Sequence, residues 1–408
     1  MAPEWVMGLI GDITLTKGLA GLAILSLTIL VAINGRLWQT LAGSPTLSLA
    51  EPPPPIPADT LTVIIPAYNE ANNIEACVGH VLASTSDPIQ VVVVDDQSTD
   101  ETWALLNNLA TQSPDPRLRL LAGAARPEGW VGKNWACHQG SLVAETPYLL
   151  FLDCDVRLQP GSLEAILVQG MATGAGLLSV GPQVRCGCLA EWLVQPLMVA
   201  ILATAYDFAA VNAPEKTNAF AFGPIMLFQR QAYEQVGGHA AVADQVVEDV
   251  ALANRIKGAG LNLKQALSGS LATIRMYANG QQLWEGWTKN WYMGLGQRLD
   301  LALGVCLGIL LVTVAPWWIL LVALIRRDPL GVGLGGLGLV AQISIRWQLQ
   351  SKAGLPMRYG WLTWLGGLVT VCIILASAYK TLTGHGWTWR GRPLTKNPLG
   401  ATRYSEHS

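Results

Sequence analysis

Three short apolar runs that each end in an acid-rich turn constrain this chain most: VIIPAYNE (63–70), VVVVDDQSTD (91–100) and LLFLDCD (149–155). Stretches of helical length separate them, and a further run, RLRLL (117–121), falls between the second and third. Continuous apolar strands joined by helical crossovers are the pattern of a parallel sheet buried on both faces, so an α/β fold is expected. Ser98 followed by Glu101 reads as a capping box opening the helix after the second run, which makes DDQS the loop at a strand's C-terminal end. Open parallel sheets bind ligands at that edge, so the three acidic turns should gather there around a nucleotide. Asp153 and Asp155 stand one residue apart, where like charges repel unless something intervenes; a bound cation would account for the pair.

Charged residues make up only 13% of the 408 positions and hydrophobic ones 51%, against roughly 25% charged in ordinary soluble domains. Part of the chain therefore faces something other than water. GLAGLAILSLTILVAIN (18–34) is long enough to cross a bilayer, and the acidic residues before it do not form the basic region of a secretory signal, so it reads as a retained anchor. Apolar runs recur at 301–325, 330–345 and 361–378, with Trp317, Trp318, Trp361 and Trp364 in or beside them as interfacial aromatics. EPPPPIP (51–57) is a stiff spacer. These features divide the chain into an anchor (1–50), a linker (51–60), an α/β domain with interfacial helices (61–298), a C-terminal membrane region (299–380) and a basic tail (381–408). Within the domain, EWLVQPLMVAILATAYDFAAVN (191–212) carries Glu191, Pro196 and Asp207 and suits a helix lying in the membrane interface. A net charge of −2 gives no general attraction to nucleic acid. The seven cysteines form no Cys-x-x-Cys pair, which points to reduced thiols.

With EDV (248–250) added, the ordered series VIIPAYNE, VVVVDDQSTD, LLFLDCD resembles the family 2 glycosyltransferases of GT-A fold. The resemblance covers about 61–293. It implies that Pro66, Tyr68, Glu70 and Asp96 contact the base and ribose of a nucleotide-sugar donor, and that Asp155, with Asp153, holds the diphosphate through Mg²⁺ or Mn²⁺. Carboxylates with phosphate oxygens are the ligands such hard cations prefer. In GWVGKNWACHQG (129–140) Lys133 stands where a helix could begin and is similar to a Gly-Lys motif of the family, implying a donor-site role; His138 reads as structural. The resemblance makes Asp249 the general base that takes the proton of an acceptor hydroxyl in an inverting transfer, with Glu248 as its positioning neighbour. At 281–295, where many relatives carry Gln-x-x-Arg-Trp, this chain has Trp287, Asn290 and Trp291. That departure argues against a processive polysaccharide synthase, and Lys289 could supply charge near the phosphates.

The tail GWTWRGRPL, PEGWVGKNWA and GWTKNW are most similar to membrane enzymes that glycosylate carotenoids or hopanoid-type isoprenoids, so a lipid acceptor is implied. A polyprenyl-phosphate glycosyltransferase and a catalytically dead membrane scaffold are the alternatives; Asp96, Asp153, Asp155 and Asp249 together weigh against the scaffold. Nucleotide sugars place the catalytic domain on the cytoplasmic side. Four spans would then put Lys380, Arg390, Arg392, Lys396 and Arg403 outside, against the positive-inside tendency. Three spans with 330–345 re-entrant or interfacial would keep them inside.

Overall fold

The computed structural model describes residues 4–49, 54–384, 388–389 and 392–393, with side chains over 16–49 and 54–384. Glu51 to Pro53 of the proline spacer and most of the basic tail lie outside the described residues.

Strands β1 (Leu61–Ala67), β2 (Gln90–Asp95), β3 (Leu118–Ala122) and β4 (Tyr148–Leu152) are mutually parallel where they pair. Two short strands, β5 (Val156–Leu158) and β7 (Gln183–Val184), flank β6 (Leu177–Gly181) in sequence, followed by β8 (Ile225–Gln229), β9 (Leu263–Leu267) and β10 (Ala272–Ile274). The main sheet runs β3-β2-β1-β4-β8-β6-β9, with β8 antiparallel to both neighbours, while β5, β10 and β7 form a small second sheet. Alternating residues of each parallel strand enter opposite cores. Val63, Ile65, Leu150 and Leu152 join one, and Ile64, Leu149 and Phe151 the other. This explains why the runs are continuously apolar: both faces of the sheet are covered.

Two local expectations change. The helix after β2 begins at Thr102, and Thr102 N–H is held by Asp100 Oδ1 at 3.0 Å. Ser98 does not cap it, because its hydroxyl accepts the Asn69 N–H at 2.9 Å and so ties the β2 loop to the β1 loop. The run AFAFGPIMLFQR (219–230) becomes strand only from Ile225, since Pro224 offers no N–H to a ladder; its carbonyl instead accepts Asp153 N–H at 3.0 Å.

Among the described residues three helices are long and apolar enough to cross a membrane: Thr16–Ala42, Pro329–Ala353 and Gly360–Leu382. The pair Leu299–Thr313 and Ala315–Arg326 bends by 44°. The segment 330–345, expected to be re-entrant or interfacial, lies within one unbroken 25-residue helix. Its glycines permit close packing: a Cβ on Gly335 or Gly338 would come within 2.9 Å of Leu320 N or Pro316 Cβ. Leu37 and Leu41 at one helix end, and Leu349 and Leu355 at and just past another, join the α/β domain's core, whereas Arg326 reaches Thr16 at the opposite end. The bent pair therefore carries the chain away from the domain and Pro329–Ala353 returns it. Helix Gly360–Leu382 packs along the helices Leu189–Ala205 and Gly280–Gly294 of the domain. Trp318 and Trp361 are exposed on the outer surface, while Trp317 turns inward and donates to Gln342 Oε1 at 3.1 Å.

Candidate active site

The C-terminal ends of β1, β2 and β4 open on one cleft of about 290 Å³. Pro66, Tyr68 and Glu70 enter it from the β1 loop, Asp96 from β2, and Asp153 and Asp155 from the turn after β4. The two loops at β1 and β2 are fixed to each other: Asn69 and Gln97 adopt positive φ of 52° and 60°, Thr99 N–H donates to Asn69 Oδ1 at 2.8 Å, and Glu70 N–H to Thr102 Oγ1 at 2.8 Å. After Leu152 the chain leaves the ladder, and Val156 N–H returns to Asp153 O at 3.1 Å. Asp153 and Asp155 thus sit on a tight turn rather than on one strand face.

Lys133 lies in the first turn of helix Gly132–Val143. Its ammonium bridges Asp153 Oδ1 at 2.7 Å and Glu248 Oε1 at 2.8 Å. Burial opposes the lysine's charge, but the two carboxylates hold its pKa well above the ordinary value. Burial likewise opposes ionisation of Glu248, yet Lys133 keeps its pKa below the usual carboxylate range. The buried Asn134 side chain donates to Val242 O at 2.7 Å and Gln245 O at 2.9 Å, which fixes the loop that delivers Glu248.

Asp249 begins the helix Glu248–Gly258 beside that pair. Burial, followed by the adjacent Glu248 charge, pushes its pKa up to about 7. Its Oδ1 accepts Val250 N–H at 2.8 Å. Oδ2 lies over Gly223, where a Cβ would approach it to 2.8 Å. Gly223→Ala should therefore displace the carboxylate and lower kcat about a hundredfold. Steady-state kinetics with a thermal-unfolding control on the folded variant tests this.

Lys289 and Asn290 reach the cleft from helix Gly280–Gly294, but Trp287 and Trp291 do not line it. They occupy the other side of that helix, in an apolar cluster with Leu365, Val369 and Ile373, and Trp287 Nε1 donates to Gln195 Oε1 at 2.9 Å. Sequence reading overlooked Arg126, Met276 and Tyr277, which complete the cleft wall. Their spacing from the acidic turns carries no signal, because tertiary packing brings them in. His138 stacks among Trp130 and Trp135.

Among the described residues no group of three or more His, Cys, Asp and Glu could hold a metal ion. Asp155 and Asp153 nevertheless fit a divalent cation that takes its other ligands from diphosphate oxygens and water, as hard cations do at phosphate sites. Asp153 already has one oxygen engaged by Lys133, so Asp155 is the better direct ligand.

Comparison with known proteins bears on the domain as a whole. Residues 62–237 match the model of the glycosyl transferase family 2. A 4,4'-diaponeurosporenoate glycosyltransferase of Staphylococcus aureus strain MRSA252 is 32% identical over 242 residues, 58% of this chain and 62% of the relative. Its counterpart in strain USA300 is 32% identical over 243 residues with the same coverage. The chain thus spans 62% of the length of these relatives. A solved mannosyltransferase from Pyrobaculum calidifontis, in complex with GDP-Man and Mn²⁺, superposes with a TM-score of 0.53 at 19% identity, covering 89% of this chain and 99% of that one. That likeness concerns the fold. Residues 62–237 are thus similar to glycosyl transferase family 2 domains, and the chain's fold is like that of the mannosyltransferase, with apolar helices on either side of the matched region.

Proposed function

We propose that the protein is an inverting, metal-dependent glycosyltransferase that moves one sugar from a nucleotide-sugar donor to a hydroxyl of a membrane lipid, of carotenoid or other isoprenoid type. The observation that carries this reading is the convergence of Asp155, the Lys133-bridged Asp153 and Glu248, and the raised-pKa Asp249 in one cleft. Pro66, Tyr68, Glu70 and Asp96 form the wall suited to base and ribose. A divalent cation, when bound at Asp155 and Asp153, would supply positive charge against the departing diphosphate. Lys133 holds Asp153 and Glu248 apart and in place. Asp249 Oδ2 takes the acceptor's proton, and a base with pKa near neutrality is suited to do so. Lys289 and Asn290 hold the cleft edge nearest the apolar helices, from which a lipid acceptor would enter.

The test is transfer of labelled sugar from UDP- and GDP-sugars into organic-extractable lipid by membranes bearing the protein. Label should require Mg²⁺ or Mn²⁺, fall to background on chelation and return when the ion is restored. Label that persists through chelation contradicts metal dependence.

A second reading has a specific basis. The relatives are named for an "-oate", a carboxylate, and a groove of about 940 Å³ containing Arg157, Arg185 and Arg275 adjoins the cleft at Asp155 and Met276. An anionic acceptor oxygen would suit that groove and would need no base.

For topology, we infer a cytoplasmic catalytic domain and three crossings, by Thr16–Ala42, the bent pair and Pro329–Ala353. Helix Gly360–Leu382 then lies along the membrane surface, and its basic sequel stays on the domain side, as the positive-inside tendency favours. A Ser405→Cys variant should resist impermeant thiol reagents applied to intact cells; strong labelling places the tail outside.

A further inference from the structure

Against helix Leu189–Ala205 lies a second cavity, of about 70 Å³, walled by Leu30, Pro196, Ala200, Ile309 and Leu349 among others, none of which lines the cleft. Its one charged lining residue is Arg346, which is 4% exposed. The guanidinium has only long contacts, Nε to Thr363 Oγ1 at 3.4 Å and Nη1 to Trp192 O at 3.5 Å, and Nη2 has no hydrogen-bond partner. Among the described residues no carboxylate lies within ion-pair distance of it. The other polar groups of the cavity are engaged: Thr204 donates to Ala200 O, Thr313 to Ile309 O, Thr363 to Gly360 O, and Gln342 Nε2 to Val312 O. A buried guanidinium left without an anion is costly, so an occupant that brings one is favoured.

We propose that this cavity binds the carboxylate end of a long single-chain lipid acid. One guanidinium edge matches a carboxylate bidentately, and a monoanion balances its charge. The remaining wall is hydrocarbon, which suits the first carbons of an apolar chain. Ile33, Ile201 and Ile345 are only half-buried, so the tail leaves between them into lipid. Arg346 stands one helical turn before Leu349, which packs into the catalytic domain's core, and this places the carboxylate at headgroup depth. The site does not depend on glycosyl transfer, since it requires only hydrocarbon and an anion.

The experiment uses the full chain in maltoside micelles with radiolabelled palmitate, hexadecanol and dioleoyl phosphatidylglycerol as probes. Wild-type protein should retain palmitate, and hexadecanol should fail to displace it. Arg346→Met should lower palmitate affinity by about tenfold or more while thermal stability holds or rises, because an unpaired buried charge has been removed. Val312→Trp, which fills the cavity with Arg346 intact, should also reduce binding. Equal retention by wild type and Arg346→Met, displacement by hexadecanol at equal concentration, or Arg346-dependent binding of phosphatidylglycerol in place of palmitate would each overturn the assignment. None of these readouts involves sugar transfer, so the result stands apart from the proposed reaction.

Discussion

Asp155→Ala is expected to lower sugar transfer by about three orders of magnitude while the protein remains folded. The estimate follows from the several kcal/mol that a well-placed cation contributes to a departing diphosphate, at about 1.4 kcal/mol per factor of ten. Folding should survive because Asp155 lies on the turn after β4, outside the sheet and its two apolar cores. A second readout separates loss of metal from general damage. Wild-type protein should be stabilised against heat by Mn²⁺ with GDP or UDP more than by nucleotide alone, and Asp155→Ala should lose that increment. Asp153→Ala differs in kind: it also removes one of the two carboxylates on Lys133, so its stability should fall even without metal. If Asp155→Ala keeps both its activity and its metal-dependent stabilisation, the cation is held elsewhere.

The parallel half of the sheet was legible because burial on both faces writes an unbroken apolar run into each strand. The same logic gathered Pro66, Tyr68, Glu70, Asp96, Asp153 and Asp155, since C-terminal strand ends share an edge whatever the loop details. Side-chain partnerships were not legible. Lys133 carries an expected donor-site role, but nothing in the sequence announces that it joins Asp153 to Glu248, residues far apart in the chain. Ser98 had the spacing of a cap, but a neighbouring loop's N–H competes for the same oxygen. The glycines at 335 and 338 let the segment pack tightly within its long helix, a role that composition alone does not reveal. Trp287 and Trp291 share a helix with Lys289 and Asn290, and only the packing of Gly360–Leu382 decides which side meets the cleft.

Asp249→Asn should lower transfer to a hydroxyl acceptor by about a hundredfold to ten-thousandfold, the range over which a positioned general base acts. The amide is isosteric and leaves the Lys133 bridge untouched, so binding of the donor should be nearly unchanged and the loss should appear in kcat. The pH profile supplies the sign. Asp249 is a base only when ionised; its raised pKa near 7 means that the wild-type rate climbs with pH through that region and levels above it. Asp249→Asn should lack this limb. Lys133→Met offers a check on the cause: removing the ammonium takes away one of the influences that lower the Asp249 pKa, so any residual activity should require higher pH. A carboxylate acceptor reverses these expectations. Its nucleophilic oxygen has no proton to give up near neutrality, and an ionised Asp249 would repel it. The rate would then fall as pH rises through the same region, and Asp249→Asn would retain activity. One variant and one pH series thus distinguish a hydroxyl from a carboxylate acceptor before the lipid itself is identified.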